Sequence, residues 1–196
     1  MEEVEIIANG FTKRVGEGTW YADVPPEIID KYKGAFVING GTEDIINYIW
    51  KKFGLRSYRD GLFWMVNPDE YNDLARQFPH ISNTAIVLAR TSIGNLFLLE
   101  KLDIGDSITY LNTHFGTTTI VSTDFEVFIE FNLAADPFWE RECYGKIELK
   151  AAKKHKLTAD ECLTFIPALA LGGDEKVSNL EKVNIKKNLE MLAQLL

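Results

Sequence analysis

The stretch from Thr84 to Ser122, TAIVLARTSIGNLFLLEKLDIGDSITYLNTHFGTTTIVS, decides the fold class of this chain. Four short runs in it are rich in aliphatic, aromatic and β-branched residues: 85–89, 96–99, 108–111 and 117–121. Three glycine-containing segments separate these runs: 92–95, 103–106 and 114–116. Short strands joined by turns of this kind are typical of an antiparallel meander. The sequence therefore predicts an antiparallel sheet in the middle of the chain.

Helical patterns lie before this stretch. Pro25 and Pro26 open a short helix, because proline suits the first helical positions. A second helix is predicted from about 42 to 53, where isoleucines and aromatic residues recur at helical spacing before Gly54. Asn67 precedes Pro68 and has the side chain of an N-cap, so a third helix is predicted to follow the buried strand 62–66.

Helical patterns also return after the stretch. Asp124 is predicted to cap a helix that places Phe125, Phe128 and Leu133 on its inner side. Shorter helices are expected beyond it, and Ser178 is predicted to cap the last one. Helices at both chain ends around a central sheet indicate the α+β class, a single compact domain with one face of the sheet covered.

Length and composition are those of an ordinary globular protein, with 196 residues, 46% hydrophobic and 26% charged. No apolar run approaches the ~20 residues that span a bilayer, and residues 1–5 carry three glutamates instead of the basic start of a signal peptide. Cys143 and Cys162 lack the spacing of a metal or redox motif and are expected to be reduced. A cytoplasmic location is expected.

Charge is distributed unevenly along the chain, whose formal net charge is −8. Residues 60–140 hold 12 acidic and 3 basic side chains, a net charge of −9, while the flanking segments carry −1 and +2. An acidic surface repels nucleic acid and anionic membranes and attracts a basic partner. The alternative is a solvated acidic surface that serves solubility alone.

Catalytic motifs are not found. His80, His114 and His155 are far apart in the sequence and belong to no known metal or triad pattern. The pair Gly172-Gly173 begins a segment that resembles a nucleotide cyclase signature, but Lys176 replaces the aromatic residue, so a flexible turn is expected. The chain is predicted not to be an enzyme and to need no cofactor or metal.

Two groups of residues are candidates for binding a partner. Tyr58, Arg59 and Asp60 combine residue types that dominate protein interfaces. Glu100, Asp103 and Asp106 surround a predicted turn. Their oxygens could hold a hard cation, although turns collect aspartate for backbone reasons and the calcium-loop spacing is absent. We predict that all six residues contact a protein partner.

Two segments resemble a known family. The first is 54–71, GLRSYRDGLFWMVNPDEY, preceded by 24–32, VPPEIIDKY, and the second is 165–173, FIPALALGG, followed by 177–183, VSNLEKV. They are similar to the GAD-like proteins that include the Tdi-type immunity proteins of bacterial type VI secretion systems. The resemblance extends from about 11 to 195. It implies a GAD-like part at about 11–122 and a helical Tdi-type part at about 123–196.

The resemblance implies a cytoplasmic antitoxin that binds a cognate protein toxin, often a nuclease, and that carries no catalytic residues. The acidic middle segment adds the expectation that this toxin is basic. The antitoxin is expected to be a monomer or weak homodimer when free and to bind no nucleic acid or membrane. Two alternatives stay open: an adaptor that binds a peptide or small ligand in an apolar pocket, and a metal-dependent hydrolase that uses the Glu100–Asp106 turn.

Overall fold

The computed structural model describes residues 3–35, 44–102 and 105–196. The helices in this part are α1 (Glu3–Val15), α2 (Pro26–Lys31), α3 (Ile45–Phe53), α4 (Asn72–Ala75), α5 (Phe125–Glu130), α6 (Asp136–Arg141), α7 (Gly145–Lys154) and α8 (Ile185–Leu195). The strands are β1 (Thr19–Ala22), β2 (Leu55–Tyr58), β3 (Phe63–Met65), β4 (Ile86–Thr91), β5 (Leu96–Leu102), β6 (Gly105–Asn112), β7 (Thr117–Ser122), β8 (Glu161–Phe165) and β9 (Leu180–Asn184).

The main sheet has seven strands in the order β1 to β7, and every neighbouring pair is antiparallel. The predicted meander is confirmed, as is the α+β class. Strands β1 and β2 extend the sheet beyond the prediction. Each has only four residues, too few to show a clear alternation of apolar and polar positions.

Both faces of the sheet are covered, which corrects the expectation of one covered face. Phe97 points to the face under α1, α3, α5 and α6, and its ring centroid lies 5.3 Å from that of Phe128 and 5.7 Å from that of Trp139. The neighbouring Leu96 and Leu98 point to the opposite face, under α4 and α8. Side chains alternate along a strand, so an uninterrupted apolar run such as 96–99 belongs to a sheet buried on both sides.

The cap predicted at Asp124 forms: its carboxylate accepts a hydrogen bond from the Val127 N–H at 2.9 Å. Asp44, where no cap was predicted, accepts a hydrogen bond from the Asn47 N–H at 2.9 Å at the start of α3. The helix predicted after Asn67 is shorter than expected: it begins as a 3₁₀ turn over Pro68–Glu70, and α4 has only four residues.

The C-terminal region is not purely helical, which corrects a second expectation. Strands β8 and β9 form an antiparallel pair, and the Leu163 N–H donates to the Ser92 carbonyl at 2.8 Å, which fixes this strand pair to the turn after β4. Ser178 lies in a 3₁₀ turn before β9 and caps no α-helix. Asn184 caps α8 instead, through a bond from the Lys187 N–H at 3.2 Å. No helix in the described ranges is long and apolar enough to cross a membrane.

Candidate partner-binding surface

The turn between β2 and β3 has an unusual backbone. Arg59 and Asp60 have φ angles of 52° and 58°, in the left-handed region that favours glycine, and Gly61 follows with φ 83°. The Gly61 N–H donates to the Tyr58 carbonyl at 3.1 Å, so the two central residues form a tight hairpin turn. Left-handed residues with a side chain cost about 1–2 kcal/mol each, and such strain often accompanies a functional position.

Side chains around this turn divide into surface and core. The Arg59 guanidinium donates to the Leu133 carbonyl at 3.2 Å and forms an ion pair with Asp136, which anchors the turn to the segment before α6. Asp60 is exposed. Tyr58 is only 1% exposed and its ring stacks on Phe63 at 5.2 Å, so it supports the turn from inside the core. Burial raises the pKa of Tyr58 to about 12.

The second group of predicted contact residues lies at the other end of the sheet. Glu100 is buried, and its carboxylate accepts a hydrogen bond from the Ser82 N–H at 3.2 Å. Asp106 is exposed and pairs in register with Lys101. Asp103 lies outside the described residues.

The structure does not bring the two groups together. The β2–β3 turn adjoins the end of β4, because Phe63 pairs with Thr91, whereas Asp106 on β6 pairs with Lys101 at the far end of β5. The seven residues of β5 span ~20 Å. The predicted residues that the structure describes therefore do not form one site, and the partner-binding role of all six stays a prediction.

Folding also redistributes the acidic charge of residues 60–140. Several of its carboxylates pair with bases from outside the segment: Asp69 with Lys31 at 2.6 Å, Glu70 with Lys186 at 2.6 Å, Glu130 with Arg14 at 2.8 Å, and Asp136 with Arg59. Exposed pairs of this kind add little stability. They do reduce the negative electrostatic potential around these carboxylates. The acidic segment of the sequence therefore does not form one acidic patch on the surface.

One acidic surface persists where α1 lies beside α5. We call it the α1–α5 ridge and define it by residues of both helices and the α5 cap: Glu3, Ile6, Gly10, Arg14, Asp124, Glu126, Val127, Glu130 and the adjoining Phe131. Burial raises the pKa of Glu126, and the negative charges of Asp124, Glu130 and Glu3 raise it further. Ile6, Val127 and Phe131 are 56%, 41% and 47% exposed.

Sequence reasoning missed this ridge because α1 was not predicted. One signal was present: Val127 and Phe131 are apolar, yet they lie off the inner side that Phe125, Phe128 and Leu133 define. Apolar residues on the outer side of a short amphipathic helix indicate a surface that packs against something else.

A cleft of about 1140 Å³ separates the β2–β3 turn from the segment that joins α7 to β8. Its lining includes Arg59, Trp64, Lys153, Lys154 and Lys156. The cleft is therefore basic, unlike the apolar pocket that the ligand-binding alternative predicts. Within the described ranges, no group of three or more His, Cys, Asp or Glu residues could hold a metal ion.

Two family models match this chain. The family model of the GAD-like domain matches residues 6–114, and the model described as T6SS immunity protein Tdi1, C-terminal, matches residues 123–196. The chain belongs to the GAD-like, Tdi1-type immunity family. The ridge thus joins a GAD-like helix, α1, to a Tdi1-type helix, α5.

A solved structure has the same fold. The crystal structure of Atu4351 from Agrobacterium tumefaciens superposes with a TM-score of 0.74 at 17% sequence identity, covering 94% of this chain and 87% of that one. At this level of identity, the likeness shows a shared fold. A search of curated proteins found no match.

A buried polar junction holds the GAD-like and Tdi1-type parts together. Glu148 on α7 is fully buried, and its carboxylate accepts hydrogen bonds from Asn95 and Tyr110, both at 3.0 Å. Burial raises the pKa of Glu148 to about 7, although these hydrogen bonds partly oppose the shift. Since buried polar groups need partners, the junction favours one relative placement of the two parts.

A buried arginine makes a second connection between the parts. Arg90 on β4 has no solvent exposure, and its guanidinium stacks on Trp64 with its central carbon 4.3 Å from the ring centroid. It donates to the carbonyls of Thr158 and Ala159 at 3.3 and 2.9 Å. The planar guanidinium can stack and donate at once, which lysine cannot do. Arg90 therefore fixes the segment before β8 on the main sheet.

Proposed function

We propose that this chain is an immunity protein that binds and neutralises a cognate secreted toxin, a nuclease with a basic surface. The observation that carries the proposal is the pair of family matches, which together extend from residue 6 to 196 with a gap of eight residues. Such a protein acts by binding and catalyses no reaction. We place the encounter in the cytoplasm, where the nucleic acid substrate of a nuclease lies.

Charge supports the nuclease part of the proposal. A nuclease grips its substrate with lysine and arginine side chains, so an inhibitor that covers this groove benefits from an acidic surface. The chain has a net charge of −8. Of the six residues predicted from the sequence, Asp60 and Asp106 are exposed and Arg59 is half-buried, so these three are accessible to a toxin. Tyr58 and Glu100 are buried, so they can contribute only by supporting the backbone beneath the contact surface.

The experiment is a neutralisation assay with the toxin encoded beside the gene for this chain. Purified toxin is incubated with plasmid DNA, alone or with increasing amounts of this protein. We expect DNA degradation to stop at about one equivalent of immunity protein, and a stable complex to elute in size-exclusion chromatography. Undiminished degradation at a tenfold excess, with no complex, would overturn the proposal. A toxin that leaves the DNA intact even when alone, yet forms the stable complex, would refute the nuclease part alone.

A further inference from the structure

We infer that the α1–α5 ridge is the surface that docks onto a basic face of the toxin. The inference rests on the proposed function and assigns its contact surface. Three observations carry it: the two helices pack against each other, their outer side exposes apolar side chains, and the same two helices carry a group of carboxylates.

The helices of the ridge run side by side in the same direction. Gly10 lies against Glu130 so closely that a Cβ at position 10 would be 2.7 Å from the Glu130 Oε1. Arg14, one turn further along α1, forms an ion pair with Glu130 at 2.8 Å and lies 4.5 Å above the Phe131 ring. The negative charge of Glu3, near the start of α1, helps to raise the pKa of Glu126, near the start of α5.

Packing beneath the ridge fixes its backbone. Ile7 and Phe11 of α1 and Phe128 and Ile129 of α5 are at most 2% exposed. The inner sides of both helices are therefore part of the core, and the outer side is presented without a loop that must become ordered. A preorganised surface loses less conformational entropy when it binds.

The outer side has the composition of an interface. Ile6, Val127 and Phe131 are all more than 40% exposed. Val127 and Phe131 are one helical turn apart, and Ile6 lies on the adjacent helix. Protein-binding surfaces combine apolar side chains with charged ones, and aromatic residues supply much of the binding energy.

Charge selects the kind of partner. The ridge carries the carboxylates of Glu3, Asp124, Glu126 and Glu130, with Arg14 as the one base in the defined ridge. Crowded carboxylates repel a second copy of the same surface, a nucleic acid and an anionic membrane, whereas lysine and arginine side chains relieve the repulsion. The cleft beside Arg59 is basic and does not suit the same partner. The occupant is therefore a basic protein surface.

The test compares ridge variants with matched controls on α8, which covers the opposite face of the sheet. Glu126→Lys reverses a ridge charge, and Glu190→Lys makes the same change at an exposed position of α8. Phe131→Ser removes an exposed apolar group, and Met191→Ser does so at a side chain that is 40% exposed. Affinity for the purified toxin, inactivated at its active site, is measured by calorimetry at 50 and 300 mM salt.

We expect Glu126→Lys and Phe131→Ser each to weaken binding by about tenfold or more, and the α8 variants to bind within about twofold of wild type. The loss in Glu126→Lys should be larger at 50 mM than at 300 mM salt, because salt screens exposed charges. Circular dichroism and thermal unfolding confirm that each variant is folded, and Val127→Ser replaces Phe131→Ser if that variant is not.

The outcomes separate the two proposals. If wild type and ridge variants bind the toxin equally well, the ridge inference fails and the immunity function stands. If the α8 variants lose as much affinity as the ridge variants, the loss is not specific to the ridge, and the ridge is not the contact surface. If wild type neither binds nor neutralises the toxin, the proposed function fails, and the ridge inference fails with it.

Discussion

The Glu148 carboxylate accepts a hydrogen bond from the Tyr110 hydroxyl at 3.0 Å inside the protein, which joins the Tdi1-type helix α7 to the GAD-like strand β6. Burial raises the pKa of the Glu148 carboxyl group to about 7, from an ordinary value of 4.5. The pKa of His114, which follows β6, is shifted in the opposite direction: burial lowers it to about 4, from an ordinary value of 6.5. The two groups should make stability depend on pH with opposite signs.

Glu148→Gln should change the pH dependence of unfolding. The folded wild type holds the Glu148 proton more tightly than the unfolded chain does, so stability falls as pH rises from about 4.5 to about 7. The shift corresponds to about 3 kcal/mol at most. Glutamine carries no charge, so the free energy of unfolding of the variant should rise relative to wild type over this window. Urea unfolding at pH 5, 6, 7 and 8 measures the difference, and a difference that does not vary with pH would contradict the expectation.

His114→Gln should show the reverse trend. The folded wild type excludes a proton that the unfolded chain takes up below pH 6.5, so stability falls as pH decreases from 6.5 towards 4. The largest loss is about 3 kcal/mol. Glutamine can still donate to the Ile93 carbonyl, which the His114 Nε2 contacts at 3.0 Å, but it does not titrate. The same urea series extended to pH 4.5 tests this. The variant should gain stability relative to wild type only on the acid side, and a gain of the same size at pH 8 would count against the explanation.

Asp60→Gly should stabilise the protein by about 1 kcal/mol, because glycine adopts the φ of 58° at this position without strain. For a chain of this size, that corresponds to a rise in Tm of about 3 °C. Asp106→Gly is the matched control: Asp106 lies in strand β6, where glycine costs about 0.5–1 kcal/mol. Differential scanning calorimetry compares the two. If both variants melt below wild type, the Asp60 backbone is not strained.

Gly173→Ala should destabilise the protein much more than Gly172→Ala does. A Cβ at Gly173 would lie 1.9 Å from the Pro167 carbonyl oxygen, a backbone atom that cannot move alone. We expect a loss of more than about 2 kcal/mol. Gly172 has open space around it, and alanine there meets only the strain of φ 85°, about 1 kcal/mol. Thermal unfolding of the two variants gives the order, and equal losses would mean that the contact at Gly173 relaxes easily.

The Gly172-Gly173 pair also shows how local and tertiary information differ. The sequence predicts a flexible turn there, because glycines and an acidic pair usually mark one. In the structure, the Gly173 N–H donates to the Ala168 carbonyl at 3.1 Å and the residue is packed against Pro167. The absence of a Cβ at Gly173 thus serves a close contact that no local pattern records.

The sequence by itself determined the features that depend on neighbours along the chain. The four meander strands, the Asp124 cap and the stop of α3 at Gly54 all follow from periodicity, side-chain capping and backbone freedom within a few residues. The family resemblance was also readable from contiguous segments, and the GAD-like and Tdi1-type family models both match the chain.

Only the tertiary structure decided which distant residues meet. It buried Tyr58 and Glu100, separated Asp60 from Asp106 along the sheet, and paired acids of the middle segment with bases such as Arg14. It also placed α1 beside α5. The physical reason is that burial and charge pairing depend on distances across the fold, which packing of the whole core sets and which spacing along the chain does not encode.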